Sequence, residues 1–303
     1  MRNEEGGRQR VRPRRSVGVP SRRWRGVVAL AAALGAGASL SAAAHAVPAG
    51  SQQATDGAVT ATLSWQGSKE EYDGVRAPRL KLERAGVIAL DAGIGDLCDR
   101  CFFYGDAKDP NVQVADLDGD AEPEALVTTF TGGAHCCTDV GIWDFRANFG
   151  TYGHLVRNFG NGGYRLEDLD GDGRRELFSV DDRFAYSFAP YVFSARPPQI
   201  LRWSRVPQVG LTDVTREFPQ VIRKDAAELR RVLRGRAKGV DLRGSLAAYV
   251  ADMYLLDRGR EGRAEIARVR RRSRLGRSGD RAWPGGRRFE PALLAFLKEA
   301  GYR

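Results

Sequence analysis

Histidine is nearly absent from this sequence: three occur in 303 residues, and His45 falls in a leader-like N-terminal segment, leaving His135 and His154. Histidine is the commonest general base, so base catalysis by imidazole has little material. The Gly-x-Ser-x-Gly, His-Glu-x-x-His and phosphate-cradling glycine motifs are also missing, which excludes the serine hydrolases, zinc peptidases and P-loop NTPases that carry them. No catalytic residue and no organic cofactor site is assigned. Beyond residue 46 no apolar run approaches the ~20 residues of a membrane helix, so no span is expected after that point.

The first 46 residues have their own character. A basic stretch ending "SRRWR" runs into an Ala-rich apolar segment, Gly26 to Ala44, and then "AHA". Basic region, apolar region and small-residue cleavage site in that order form a secretory signal, with cleavage expected after Ala46. Ser21, Arg22 and Arg23 resemble the start of a twin-arginine signal, although Arg25 stands where that signal usually has an apolar residue. The expected location is extracytoplasmic: secreted or at the cell envelope.

The remaining chain divides by charge. Residues 47–220 carry 17 basic and 26 acidic groups, and residues 221–303 carry 22 and 10. The sign change marks a boundary between an acidic and a basic region.

Residues 47–220 alternate short apolar-patterned stretches with Gly, Asp, Asn and Pro: "VTATLSW", "RLKLERAGVIAL", "NVQVADL", "EALVTTF", "VGIWDF", "GYRLEDL", "RELFSV", "YVFSA" and "QILRWS". These read as strands of an antiparallel all-β region. A repeat near 50 residues with four strands per period has the size of a propeller blade, and about three blades fit. That is too few for a closed ring, so an incomplete propeller is expected. In residues 221–303, Asp225 to Leu233, Ser245 to Leu256, Arg263 to Arg271 and Pro291 to Ala300 read as helices of a small cap. Gly301 stands as a C-terminal stop. The fold class is mainly β with C-terminal α.

Within the β region "DLDGDAEPE" (Asp116 to Glu124) returns as "DLDGDGRRE" (Asp168 to Glu176). Asp116, Asp118, Asp120 and Glu124 occupy positions 1, 3, 5 and 9, and Asp168, Asp170, Asp172 and Glu176 repeat them. Glu122 and Arg174 share position 7, which both fill if that position serves through its backbone carbonyl. Clustered carboxylates repel one another unless a cation joins them, and a hard cation such as Ca²⁺ takes six to eight oxygens from a tightly turned loop. Two Ca²⁺ sites are expected. An EF-hand is excluded, because position 12 is Val127 or Ser179 instead of Glu and both loops are flanked by strand patterns.

This combination resembles the FG-GAP repeats, the blades of integrin α-subunits and related exported bacterial proteins. The resemblance is confined to Asn111–Thr128 and Tyr164–Val180. It implies that the acidic loop joins two strands and binds Ca²⁺ through Asp116, Asp118, Asp120 and Glu124, and through Asp168, Asp170, Asp172 and Glu176. Ala121 departs from the pattern, which has Gly there.

Cys98, Cys101, Cys136 and Cys137 are the only cysteines. An even number in an exported chain reads as two disulfides. Adjacent cysteines seldom pair with each other, so Cys98 and Cys101 are expected to cross-link to Cys136 and Cys137. Two other readings use different chemistry: a thiol or transition-metal protein built on these cysteines and His135, and an extracytoplasmic hydrolase on a propeller-like scaffold. The leading expectation is a calcium-binding module for adhesion, ligand binding or structure, with an extracellular or cell-wall ligand. The run Arg268 to Arg281 is suited to an anionic envelope polymer, and export argues against a specific nucleic acid.

Overall fold

The computed structural model describes residues 47–303 apart from 70–72, 99, 106–109, 206–207, 236–239, 273–274 and 276–281. The leader, residues 1–46, lies outside the described residues. Twelve strands form three antiparallel sheets of four. The first holds β1 (Gly50–Asp56), β2 (Val59–Gln66), β3 (Arg76–Arg84) and β4 (Val87–Gly93) in that order. The second holds β5 (Val112–Ala115), β6 (Glu124–Gly133), β7 (Cys136–Arg146) and β8 (Thr151–Asn158), and the third β9 (Arg165–Glu167), β10 (Glu176–Val180), β11 (Pro198–Ser204) and β12 (Gly210–Asp213).

Period-two patterning builds these sheets. In β2, Val59, Ala61 and Leu63 are buried, while Thr60, Thr62 and Ser64 between them are half-exposed. The β3–β4 turn is the pair Ala85–Gly86, with φ of 48° and 79°. Two positive φ angles give the type I′ twist that suits a two-residue hairpin.

The buried faces join the sheets in sequence. Leu63, Leu80 and Leu82 of the first sheet pack with Val112, Ala125, Val127 and Trp143 of the second. Leu126, Val140 and Ile142 then pack with Leu177, Leu201 and Trp203 of the third. Beyond the third sheet, Ile200 meets Val214 and Phe218 at the entry to the helices. Those helices are α1 (Pro219–Arg234), α2 (Arg243–Leu255), α3 (Gly259–Arg271) and α4 (Phe289–Glu299). Three blade-like sheets in a row, without closure into a barrel, end in a helical cap.

Two details differ from the sequence reading. "YVFSA" is not a strand: Tyr191–Phe193 form a 3-10 turn after Pro190, and Ser194 closes it by donating to Ala189 O at 3.0 Å while accepting from Tyr186 N at 3.1 Å. The cysteines pair within their motifs, Cys98 with Cys101 and Cys136 with Cys137, which corrects the expected cross-linking. Cys98 and Cys101 share one turn with Cα atoms 5.3 Å apart, inside normal disulfide reach, and are buried against Val75. Phe102 docks on β6 by bridging Phe130, while Cys136 and Cys137 open β7 at the hairpin turn.

The chain ends as Gly301 suggests. Its φ is +82°; Tyr302 N donates to Leu297 O at 2.8 Å, and Gly301 N to Lys298 O at 3.2 Å. That is a Schellman cap. No described helix is long and apolar enough to cross a membrane.

Candidate metal centre

Each acidic loop joins the first two strands of its sheet, β5 to β6 and β9 to β10. The two are folded by the same bonds. Asp116 Oδ1 accepts from Gly119 N at 2.7 Å, and Asp168 Oδ1 from Gly171 N at 2.7 Å. Asp116 Oδ2 accepts from Ala121 N at 2.9 Å, and Asp168 Oδ2 from Gly173 N at 3.1 Å. Glu124 accepts from Leu117 N at 2.9 Å, and Glu176 from Leu169 N at 3.2 Å. The acid at position 1 thus winds the turn, and the acid at position 9, wholly buried in both copies, closes its base.

Gly119 and Gly171 hold φ near +80°, and Gly173 +90°. Ala121, the counterpart of Gly173, is held at +66°, a conformation that costs a residue with a Cβ about 1–2 kcal/mol. Glycine also loses more entropy on folding. Ala121→Gly is therefore expected to stabilise the chain by roughly 0.5–1 kcal/mol net, read as a raised urea midpoint; an unchanged or lowered midpoint contradicts it.

The acids converge to different degrees. Asp116, Asp118 and Asp120 bring oxygens within 4.8 Å of one another, as do Asp168, Asp170 and Glu176. At position 7 both side chains face other partners: Glu122 pairs with Arg84, and Arg174 Nε donates to Asp172 Oδ2 at 2.8 Å. That leaves their backbone carbonyls for any role in the loop.

Three partners carry no motif and were missed in the sequence. Asp144 on β7 sits beside Glu124, since Ala125 pairs with Trp143. On the third sheet Leu177 pairs with Leu201, which places Arg202 beside Glu176. The same register position holds an acid in one sheet and a base in the other. Arg205, just past β11, reaches from the third sheet into the first loop: Nη2 lies 2.8 Å from Glu124 Oε1 and 2.6 Å from Asp144 Oδ1, Nε lies 3.5 Å from Asp118 Oδ2, and Nη1 pairs with Asp120. Arg202 spans Glu176 at 3.0 Å, Glu217 at 2.6 Å and Asp170 at 3.4 Å. Only alternation in "QILRWSR" hints that these arginines are sited at a loop mouth.

Electrostatics separate the loops. Four carboxylates surround one guanidinium at the first loop, Asp118, Asp120, Glu124 and Asp144 around Arg205, with Asp116 clustered beside Asp118 and Asp120. In the second, Arg174 and Arg202 both serve the acid set. Burial, with the Asp118 charge adding to it, pushes Glu124 up to about 8 against the opposing bonds from Leu117 N and Arg205. Burial also raises Asp144 and Asp118. Asp118 Oδ1 is buried without a hydrogen-bond partner among the described residues. An orphaned carboxylate oxygen among oxygens is the donor chemistry a hard cation takes, so the first loop fits such an ion better than the second.

The sulfurs do not offer a second metal centre. All four are paired, and no described cysteine is free. His135 instead packs against Tyr191 in a tilted arrangement, ring centroids 4.3 Å apart. Asp225 and Asp252 form another acid pair between α1 and α2, but Asp252 is wholly buried, so no substrate reaches it.

No family model matches the chain, so the FG-GAP resemblance stands on the two loops alone; no solved structure matches either. Two curated relatives do. One is the probable thylakoid lumen protein sll0997 of Synechocystis sp., 38% identical over 161 residues, which cover 50% of this chain and 45% of that protein. The other is the uncharacterized protein y4bJ of Sinorhizobium fredii, 40% identical over 123 residues, 40% of this chain and 19% of that one. The matched stretches span less than half the length of either relative.

Proposed function

We propose that this chain is an extracytoplasmic calcium-binding module of the FG-GAP type, in which the cation stiffens the acidic loops of a blade stack that presents a binding or structural surface at the cell envelope. The observation that carries this is the orphaned, buried Asp118 Oδ1 inside a loop whose bonds at positions 1 and 9 recur in the partner copy, where the equivalent Asp170 Oδ1 instead accepts from Asp172 N at 3.3 Å. The printed name of the Synechocystis relative, a probable thylakoid lumen protein, supports a location outside the cytoplasm, in line with the leader read in the sequence.

Asp116, Asp118, Asp120 and Glu124 would hold the ion in the first loop, with Asp144 beside them; Asp168, Asp170, Asp172 and Glu176 would hold it in the second. The ion would supply charge neutralisation and a fixed loop shape. The chain's own work is to keep the donors close: backbone N–H groups fix the acids at positions 1 and 9, while the sheet buries Glu124 and Glu176. Because a ligand that binds only the folded state raises stability by mass action, the melting midpoint reports the site. Saturating Ca²⁺ is expected to raise it over a chelator control, and Asp118→Ala with Asp170→Ala to remove the rise. A midpoint indifferent to calcium in the wild-type chain sinks the assignment.

A further inference from the structure

The densest basic run of the sequence is not the least satisfied basic surface of the fold. Of Arg268–Arg281, the described part is partly neutralised: Arg268 pairs with Glu265, and Arg270 lies 3.7 Å from Glu290. Arginines without a direct ion-pair contact lie on α1. Arg223, Arg230 and Arg234 recur at offsets of seven and four, which puts them in one stripe along the helix. All three are exposed; Arg230 feels the charges of Glu261 and Glu265, and Arg234 that of Glu265, but no ion-pair contact or hydrogen bond holds any of the three among the described residues.

That stripe borders a cavity of about 360 Å³ between α1 and α2. Its apolar part is formed by Ala226, Tyr249 and Met253, all buried, with Leu256 half-buried at the edge. Among the described residues, Arg231 and Arg258 complete a rim of five guanidinia, and no acidic side chain lines the cavity. Arg231 stands only 3.8 Å from exposed Glu228, while Arg258 is held by Glu261 at 2.6 Å. Among the described residues the rim arginines without a direct ion-pair contact are therefore the three on the stripe.

We propose that this cavity binds a small anionic amphiphile: an aliphatic chain headed by a carboxylate or a phosphate monoester. An apolar floor alone suits any hydrocarbon, and an arginine rim alone suits any anion. Together they select a ligand with both parts, the head held by charge-assisted bonds from Arg230 and Arg234 and the chain taken out of water over Tyr249 and Met253. The volume lies in the range of small-molecule sites. At roughly 30 Å³ per water-sized group, it takes about a dozen methylene-sized groups. This site shares no residue with the acidic loops, so it stands or falls separately from the calcium reading.

Calorimetric titration of the full chain with dodecanoate and dodecyl phosphate, each below its micelle concentration, tests the inference. Saturable binding is expected for at least one of them, weakened at least tenfold in Arg230→Glu with Arg234→Glu. Dodecyltrimethylammonium and inorganic phosphate are expected to bind at least tenfold more weakly than the better amphiphile. Retention of binding in Arg230→Lys with Arg234→Lys, and an unchanged circular dichroism spectrum in both double variants, assign the loss to charge. If the glutamate variant misfolds, Arg223→Ser with Arg230→Ser takes its place with the same expectation. Absence of amphiphile binding to the wild-type chain, equal binding of the cationic detergent or of bare phosphate, or a preference for an acidic peptide overturns the proposal.

Discussion

Arg205→Gln is expected to lower the melting midpoint of the chelator-treated protein on the order of 10 °C, and to enlarge the rise that calcium produces. Arg205 is the counter-charge for buried Asp144 and for Asp118 and Asp120 at the mouth of the loop, and it donates to buried Glu124, which burial has pushed up to about 8. Removing one partner of a buried ion pair leaves the other charge uncompensated, a loss of about 3–5 kcal/mol; for a chain of this size each kcal/mol moves the midpoint by roughly 2–4 °C. A cation entering the first loop must compete with that guanidinium for the same oxygens. Without Arg205 the acids repel one another more strongly in the cation-free state, so calcium gains affinity. Scanning calorimetry with chelator and with calcium checks both halves. An Arg205→Gln chain that melts like the wild type in chelator would show that the guanidinium is not the resident counter-charge.

A second large effect is expected in the helical cap, from a substitution that removes a buried titratable group. Burial, reinforced by the charge of neighbouring Asp225 and a hydrogen bond to it, raises Asp252 well above the ordinary carboxylate range. The folded chain therefore keeps a proton that the unfolded chain releases near pH 4. Folding takes up a proton over that interval, so stability falls as pH rises from about 4 to the raised folded-state pKa, and is level above it. Asp252→Asn removes this dependence and supplies an amide donor to Asp225. It is expected to stabilise the chain by roughly 1–3 kcal/mol at neutral pH, with the advantage vanishing below about pH 4. Urea melts of both chains across that range decide it; a constant gap at all pH values, or a less stable asparagine variant, contradicts the expectation.

Why some of this was legible in the sequence follows from how each residue acts. Strands with one buried face announce themselves: Val59, Ala61 and Leu63 alternate with hydroxyl side chains. The edge strand β1, "GSQQATD", buries no residue fully and β8 buries only Tyr152, so neither carries the pattern. "YVFSA" carried it falsely, because Pro190 and Ser194 impose a turn on apolar residues. The helical cap was readable from three-and-four spacing, and its end from Gly301. The acids of the loops were readable because their offsets are local. Asp144, Arg202 and Arg205 reach the loops only through strand register and sheet packing, which act over separations of up to 87 residues and leave no local spacing to detect. The cysteine pairing differed for the opposite reason: the partners are local, three residues and one residue apart, where long-range cross-links were expected.

The non-equivalence of the loops also reverses one sequence-based impression. Ala121 singled out the first loop as the one that departs from the FG-GAP pattern. Yet Asp144 adds a fifth carboxylate there, while the matching register position beside the second loop carries Arg202, whose guanidinium is tied to Glu176 and Asp170.

Calcium titrated calorimetrically into the full chain, with Asp118→Ala and Asp170→Ala as separate variants, addresses the central proposal most directly. The expected result is saturable binding in the wild-type chain, with the tighter component lost in Asp118→Ala and largely kept in Asp170→Ala. No binding in the wild type, or the same isotherm in all three chains, would contradict the account.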